Sequence, residues 1–135
     1  MAHEFPVRVY YSDTDAGGIV YHARYLDFAE HARTELLRLV SADRPSQATL
    51  MAEHRIAFVV KSITVEYHIP ALLDDQLTVL TSVEVAKRFS IVFLQRVMRR
   101  EQEIATLHVR VASVNLDTRR PEAFEPWFAE AATQL

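Results

Sequence analysis

Two carboxylates, two glycines and a histidine fall within residues 13–22: Asp13, Asp15, Gly17, Gly18 and His22. The two glycines are the only ones in the chain. Glycine reaches backbone conformations closed to other residues and lets other atoms approach the main chain closely. A helix start leaves unpaired N–H groups and a partial positive charge. A glycine loop that feeds a helix can therefore present backbone donors to a ligand oxygen, while a carboxylate beside it serves as base or nucleophile. Together these parts suit acyl chemistry, in which an oxyanion develops next to the attacked carbon. From the residues alone, Asp13 and Asp15 are equal candidates. The same Asp-Ala-Gly-Gly run is also the composition of a plain turn. A calcium loop is excluded, although Asp13, Asp15 and Gly18 match its positions 1, 3 and 6. Position 5 is Gly17, which has no ligand, and position 12 is Arg24, a cation where a bidentate Glu is needed.

Other polar residues carry weaker signals. His22 lies at the presumed helix start and reads equally as a hydrogen-bonding group or a cap. Asp27, His31 and Glu35 share one helix face, a spacing open to a metal but typical of a solvated face. Lys87 and Arg88 occupy a hairpin turn, where they could bind phosphate or simply be solvated. Trp127 reads as packing. No metal or redox cofactor is required.

These residues need elements to hold them. EFPVRVYY, 4–11, alternates as a first strand. Tyr25, Phe28, Ala29, Ala32, Leu36, Leu39 and Val40 then recur at helical spacing, predicting one long helix over about 22–40. Pro45 breaks it, with room for one more helical turn in 41–54. RIAFVVKSITVEYHI (55–69), QLTVLTSVEVA (76–86), FSIVFLQRVM (89–98) and EIATLHVRVASVNL (103–116) read as strands. PALLDD and two polar turns join them, and a short helix closes the chain. The connections favour antiparallel hairpins, giving an α+β domain of one strand, one long helix and four meandering strands. One helix cannot cover both faces of such a sheet, so oligomer formation is expected.

Composition fits a single domain over 1–135, with half the residues apolar. The net charge of −3 argues against a nucleic-acid surface. The absence of cysteine excludes disulfides and thiolate zinc sites. The start MAHEFPVRVYYSD has no signal-peptide pattern, and no apolar run reaches the ~18 residues of a membrane span, so a cytoplasmic protein is expected.

The run YYSDTDAGGIVYHARYLDFAEHARTELLR closely resembles the signature of YbgC-type acyl-CoA thioesterases, in the 4-hydroxybenzoyl-CoA thioesterase group of hotdog-fold proteins. FVVKSITVEYHIPALLDD and the strands after it resemble the family too, so the likeness covers nearly the whole chain. The resemblance implies a curved antiparallel five-stranded sheet wrapped around the long helix. It also implies homodimers joined edge to edge, commonly paired into homotetramers, with active sites between subunits. It selects Asp15 over Asp13 as the catalytic carboxylate and assigns the oxyanion donor to the backbone N–H of His22, whose side chain is implicated as well. Tyr11 is carried over as an upstream site residue, Gly17 and Gly18 as the loop around the thioester, and Lys87 and Arg88 as contacts for the CoA phosphates. The implied reaction is hydrolysis of an acyl-CoA thioester. Its rival is a non-catalytic protein on the same fold, holding acyl-CoA or acyl carrier protein or docking onto lipid-synthesis enzymes of envelope metabolism.

Overall fold

The computed structural model describes residues 2–134. Helix α1 spans Arg24–Val40 and buries Tyr25, Phe28, Ala29, Ala32 and Leu36, the expected stripe. Each large apolar side chain so buried contributes roughly 1.5–3 kcal/mol. Two positions depart from the pattern. Leu39 is 58% exposed, whereas Arg33 is buried. Arg33 donates to Gln95 Oε1 at 2.9 Å, and Gln95 Nε2 donates in turn to the Ala29 carbonyl and Thr81 Oγ1, both at 2.9 Å. Gln95 and Thr81 are themselves fully enclosed, so the polar chain is retained because its members satisfy one another. Burial pushes the Arg33 guanidinium below its ordinary value. Helix α2, Gln47–Ala52, is the extra turn after Pro45, capped by Ser46, whose side chain accepts the Thr49 N–H.

The strands are β1 (His3–Arg8), β2 (Ile56–Tyr67), β3 (Gln76–Ala86), β4 (Ser90–Arg99) and β5 (Gln102–Asn115), and helix α3 spans Pro126–Thr133. They form one antiparallel sheet in the order β1-β3-β4-β5-β2. This corrects the expectation of four meandering strands: β3, β4 and β5 do meander, but β2 pairs with β5 at the far edge. Residues 68–75 cross the end of the sheet instead of turning a hairpin. Fully extended they reach about 26 Å, ample for the roughly 14 Å across three strand spacings. The N–H groups of His68 and Ile69 both donate to the Ile104 carbonyl and start the crossing.

Register shifts at Val60/Ser62, Val83/Val85 and Val97/Met98 bend the strands. The second explains why Leu77, Val79 and Thr81 are buried as expected while Val85, placed in the same phase, is exposed. The core lies between α1 and the sheet and is completed by Phe128 of α3. Among the described residues, no helix is long and apolar enough to cross a membrane.

The sheet has two distinct ends. At one, the close of β2 at Tyr67 and the start of β3 at Gln76 lie beside the segment linking β1 to α1. At the other lie the start of β2 at Ile56, the β3–β4 hairpin and the close of β5 at Asn115.

Candidate active site

β1 ends at Arg8, earlier than the alternation suggests, because Tyr11–Asp13 form a turn of 3-10 helix. The chain then makes a tight reversal. Thr14 pairs with Val20 across it, Asp15 N–H donates to the Ile19 carbonyl, and Tyr21 N–H donates to the Asp13 carbonyl. The returning limb rests on the 68–75 crossover through an Ile19–Leu72 bridge and a Val20 N–H bond to the Ala71 carbonyl. It runs directly into α1. The two carboxylates, the glycines and the helix start thus share one hairpin.

Asp13 and Asp15 occupy different environments. Asp13 is buried, and its two oxygens are in use. Oδ1 accepts from Arg24 Nε at 3.0 Å and Nη2 at 2.7 Å, while Oδ2 accepts the Tyr10 N–H at 2.8 Å. It ties the end of β1 to the first turn of α1. Asp15 is exposed, and its Oδ1 accepts the Gly17 N–H at 2.8 Å, closing an Asx turn. Its second oxygen bonds to no described residue.

The glycines serve separate ends. Gly18 has φ +82°, in the left-handed region, and a Cβ there would meet nothing within 4 Å. A Cβ on Gly17 would stand 3.1 Å from Asp15 Oδ1. Gly18 lets the chain reverse, and Gly17 leaves room for the carboxylate.

At the helix start, Tyr21 and His22 precede the first residue of α1, with Ala23 as its cap. Arg24 N–H donates to the Tyr21 carbonyl and Leu26 N–H to the Ala23 carbonyl. The N–H groups of His22 and Ala23 donate to no described residue. The His22 ring packs on Tyr21 and edge-on to Tyr67, with centroids 4.5 and 6.5 Å apart. Tyr11 is 81% exposed beside the hairpin. Tyr10, Tyr21, Tyr67, Leu72 and Leu73 are exposed around it, an apolar patch of the kind that substrate or protein covers.

Lys87 and Arg88 lie elsewhere. They occupy the β3–β4 hairpin, roughly 35 Å along β3 from the glycine loop, so one chain does not bring the two groups together. Arg88 lines a cleft of about 580 Å³ with Phe58, Phe89, Phe124 and Trp127. Arg44 and His54, missed in the sequence, line the same cleft. Both flank α2 and join Arg88 only through the fold, so no spacing reveals them. Asp27 and Glu35 pair with Arg24 and Arg38 on the surface of α1.

Residues 9–132 match the thioesterase-like superfamily. An acyl-CoA thioesterase YbgC of Haemophilus influenzae is 51% identical over 120 residues, 89% of this chain and 86% of that protein. A YbgC acyl-CoA thioester hydrolase of Escherichia coli O157:H7 is 53% identical over 100 residues, 74% of this chain and 72% of that one. A crystal structure of a probable thioesterase from Bartonella henselae, 30% identical, superposes with a TM-score of 0.85 over 93% of this chain and 100% of that one. With its helix packed on a five-stranded sheet and its match over residues 9–132, the chain belongs to the thioesterase-like superfamily of hotdog-fold enzymes.

Proposed function

We propose that this protein hydrolyses acyl-CoA thioesters to a carboxylic acid and free CoA. Asp15 either activates a water molecule or attacks the thioester carbon, breaking its C–S bond and expelling the CoA thiolate, to give a mixed anhydride that water then opens to the free acid and the Asp15 carboxylate. The N–H of His22 receives the charge that develops on the carbonyl oxygen. The observation that carries this reading is the hairpin itself. It holds a carboxylate with one oxygen uncommitted among the described residues, and a helix start whose His22 and Ala23 N–H groups are likewise unpaired among them. An oxyanion site of that kind is worth more once water is excluded.

The distance between the glycine loop and Lys87–Arg88 supports a shared site between two copies. β2 is an edge strand with Val60 and Tyr67 exposed. A second copy pairing antiparallel along β2 would set the Tyr67 end of one chain against the Ile56 end of the other. Asp15 and His22 of one copy would then face the β3–β4 hairpin of its partner, with Lys87 and Arg88 placed for the CoA phosphates. Tyr11 and the His22 ring would line the approach to the thioester.

The test is CoA release from a panel of acyl-CoAs by the wild-type protein and by Asp15→Asn. Release by the wild type and a loss of at least ~10²-fold in kcat by the variant are expected. Tight acyl-CoA binding with no release would establish the non-catalytic reading instead.

A further inference from the structure

The His22 carbonyl stands outside the hydrogen-bond ladder of α1, because the Leu26 N–H that could reach it donates to Ala23 instead. The carbonyl accepts the Tyr67 hydroxyl at 2.9 Å, across 45 residues of chain. Tyr67 is the last residue of β2, and its ring is held edge-on against Tyr25 and His22, with centroids 5.5 and 6.5 Å away. Tyr25 is buried in the core and its own hydroxyl accepts the Ala71 N–H at 3.3 Å. The Tyr67 hydroxyl is therefore aimed by a fixed ring, although the side chain is half exposed.

A trans peptide unit is planar, and its carbonyl and N–H point in opposite directions. Pinning the His22 carbonyl therefore sets the direction of the Ala23 N–H. The preceding unit is pinned in the same way, since the Tyr21 carbonyl accepts the Arg24 N–H and so orients the N–H of His22. Two consecutive peptide units thus have their carbonyls held and their N–H groups unpaired among the described residues.

We propose that Tyr67 is a positioning residue for the reaction. By fixing the His22–Ala23 peptide, it makes the Ala23 N–H a second donor to the oxyanion, beside that of His22. This rests on the hydrolytic reading above and extends it. Without the hydroxyl, the His22–Ala23 unit can rock toward solvent, and the reaction must reorganise a dipole that the native protein holds in place. Substrate binding is not expected to depend on this, because the ground-state carbonyl oxygen carries little charge.

Tyr67→Phe separates the hydroxyl from the ring, whose contacts with Tyr25 and His22 it keeps. Acyl-CoA hydrolysis should be measured at steady state and in single turnover, so that slow product release cannot mask the chemical step. The expected result is a fall of about tenfold in kcat and in the single-turnover rate, less than the loss of a whole donor, with KM within about twofold and Tm nearly unchanged. Replacement of Tyr67 by 4-aminophenylalanine, which keeps a donor on the same ring, should recover most of the rate. Wild-type single-turnover rates in Tyr67→Phe would overturn the proposal, as would a defect confined to KM or one that the amino variant fails to recover. Asp15→Asn in the same assay separates the two levels. If it abolishes hydrolysis while Tyr67→Phe is unaffected, only the role of Tyr67 fails. If it hydrolyses at the wild-type rate, the catalytic reading of the hairpin fails.

Discussion

Asp13 and Asp15 are two residues apart and do different work. Asp13 is enclosed with a forked Arg24 and a backbone N–H, so its loss strands both partners. Asp13→Asn should cost about 1–3 kcal/mol, visible as a Tm lower by at least about 3 °C. Asp15→Asn should leave Tm within about 2 °C, since an exposed surface change is worth less than ~0.5 kcal/mol, and remove activity. Thermal melts and kcat on the two variants check this, and the reverse pattern would exchange their roles. The glycines should divide in the same way. Gly18→Ala meets open space but must hold φ +82°, at a cost of about 1–2 kcal/mol. Gly17→Ala crowds the Asp15 carboxylate at 3.1 Å and should lower kcat/KM at nearly unchanged Tm. Parallel melting and kinetic curves for the two alanine variants would separate the effects.

The loop is only as well placed as the element beneath it. The 68–75 crossover is held by Asp75, whose carboxylate accepts the Leu72 N–H at 2.8 Å and Arg99 Nη1 at 2.6 Å. Burial alone would raise the Asp75 pKa, but the Leu72 N–H and the Arg99 guanidinium outweigh it and hold the carboxyl below its ordinary value. The Arg96 guanidinium likewise lowers the Glu103 carboxyl, against the opposing effect of partial burial. Folded values below unfolded ones mean that both groups stabilise the fold fully above the unfolded carboxylate range, about pH 4. That stability is lost as pH falls through the lower folded values. Tm measured from pH 7 to pH 3 should therefore drop in the wild type and drop less steeply in Asp75→Asn, which starts lower at neutral pH. A parallel slope in the variant would remove Asp75 from the acid response.

At the scale of the molecule, the glycine loop and the basic hairpin lie at opposite ends of one sheet, and antiparallel β2 pairing between two copies would bring them together. Such a dimer should be seen by sedimentation at micromolar concentration; an active monomer would rule out the shared site. A sharper measurement mixes two inactive variants, Asp15→Asn and a charge-reversed Lys87→Glu/Arg88→Glu. In a two-fold dimer, each mixed pair regains one site with every residue intact. Random exchange should then restore about a quarter of wild-type activity. No recovery after confirmed exchange would place the functional residues within one chain.

By itself, the sequence determined the elements that local rules govern. Apolar spacing set α1 and four of the strands to within a few residues, Pro45 ended the helix, and the paired glycines marked the reversal. These signals are local because backbone conformation and side-chain period are fixed by neighbours in the chain. The edge position of β2 came only from tertiary structure, since the crossover 68–75 is as compatible in sequence with a hairpin as with a bridge across the sheet. The burial of Arg33 also came from the fold, because it depends on Gln95 and Thr81, which no spacing relates to it. Residue type alone left Asp13 and Asp15 equivalent. What separated their surroundings was Arg24, eleven positions after Asp13, which the fold turns back onto Asp13 while leaving the second oxygen of Asp15 open among the described residues. Burial and pairing are properties of what surrounds a side chain in space, and that is settled only when the whole chain has packed.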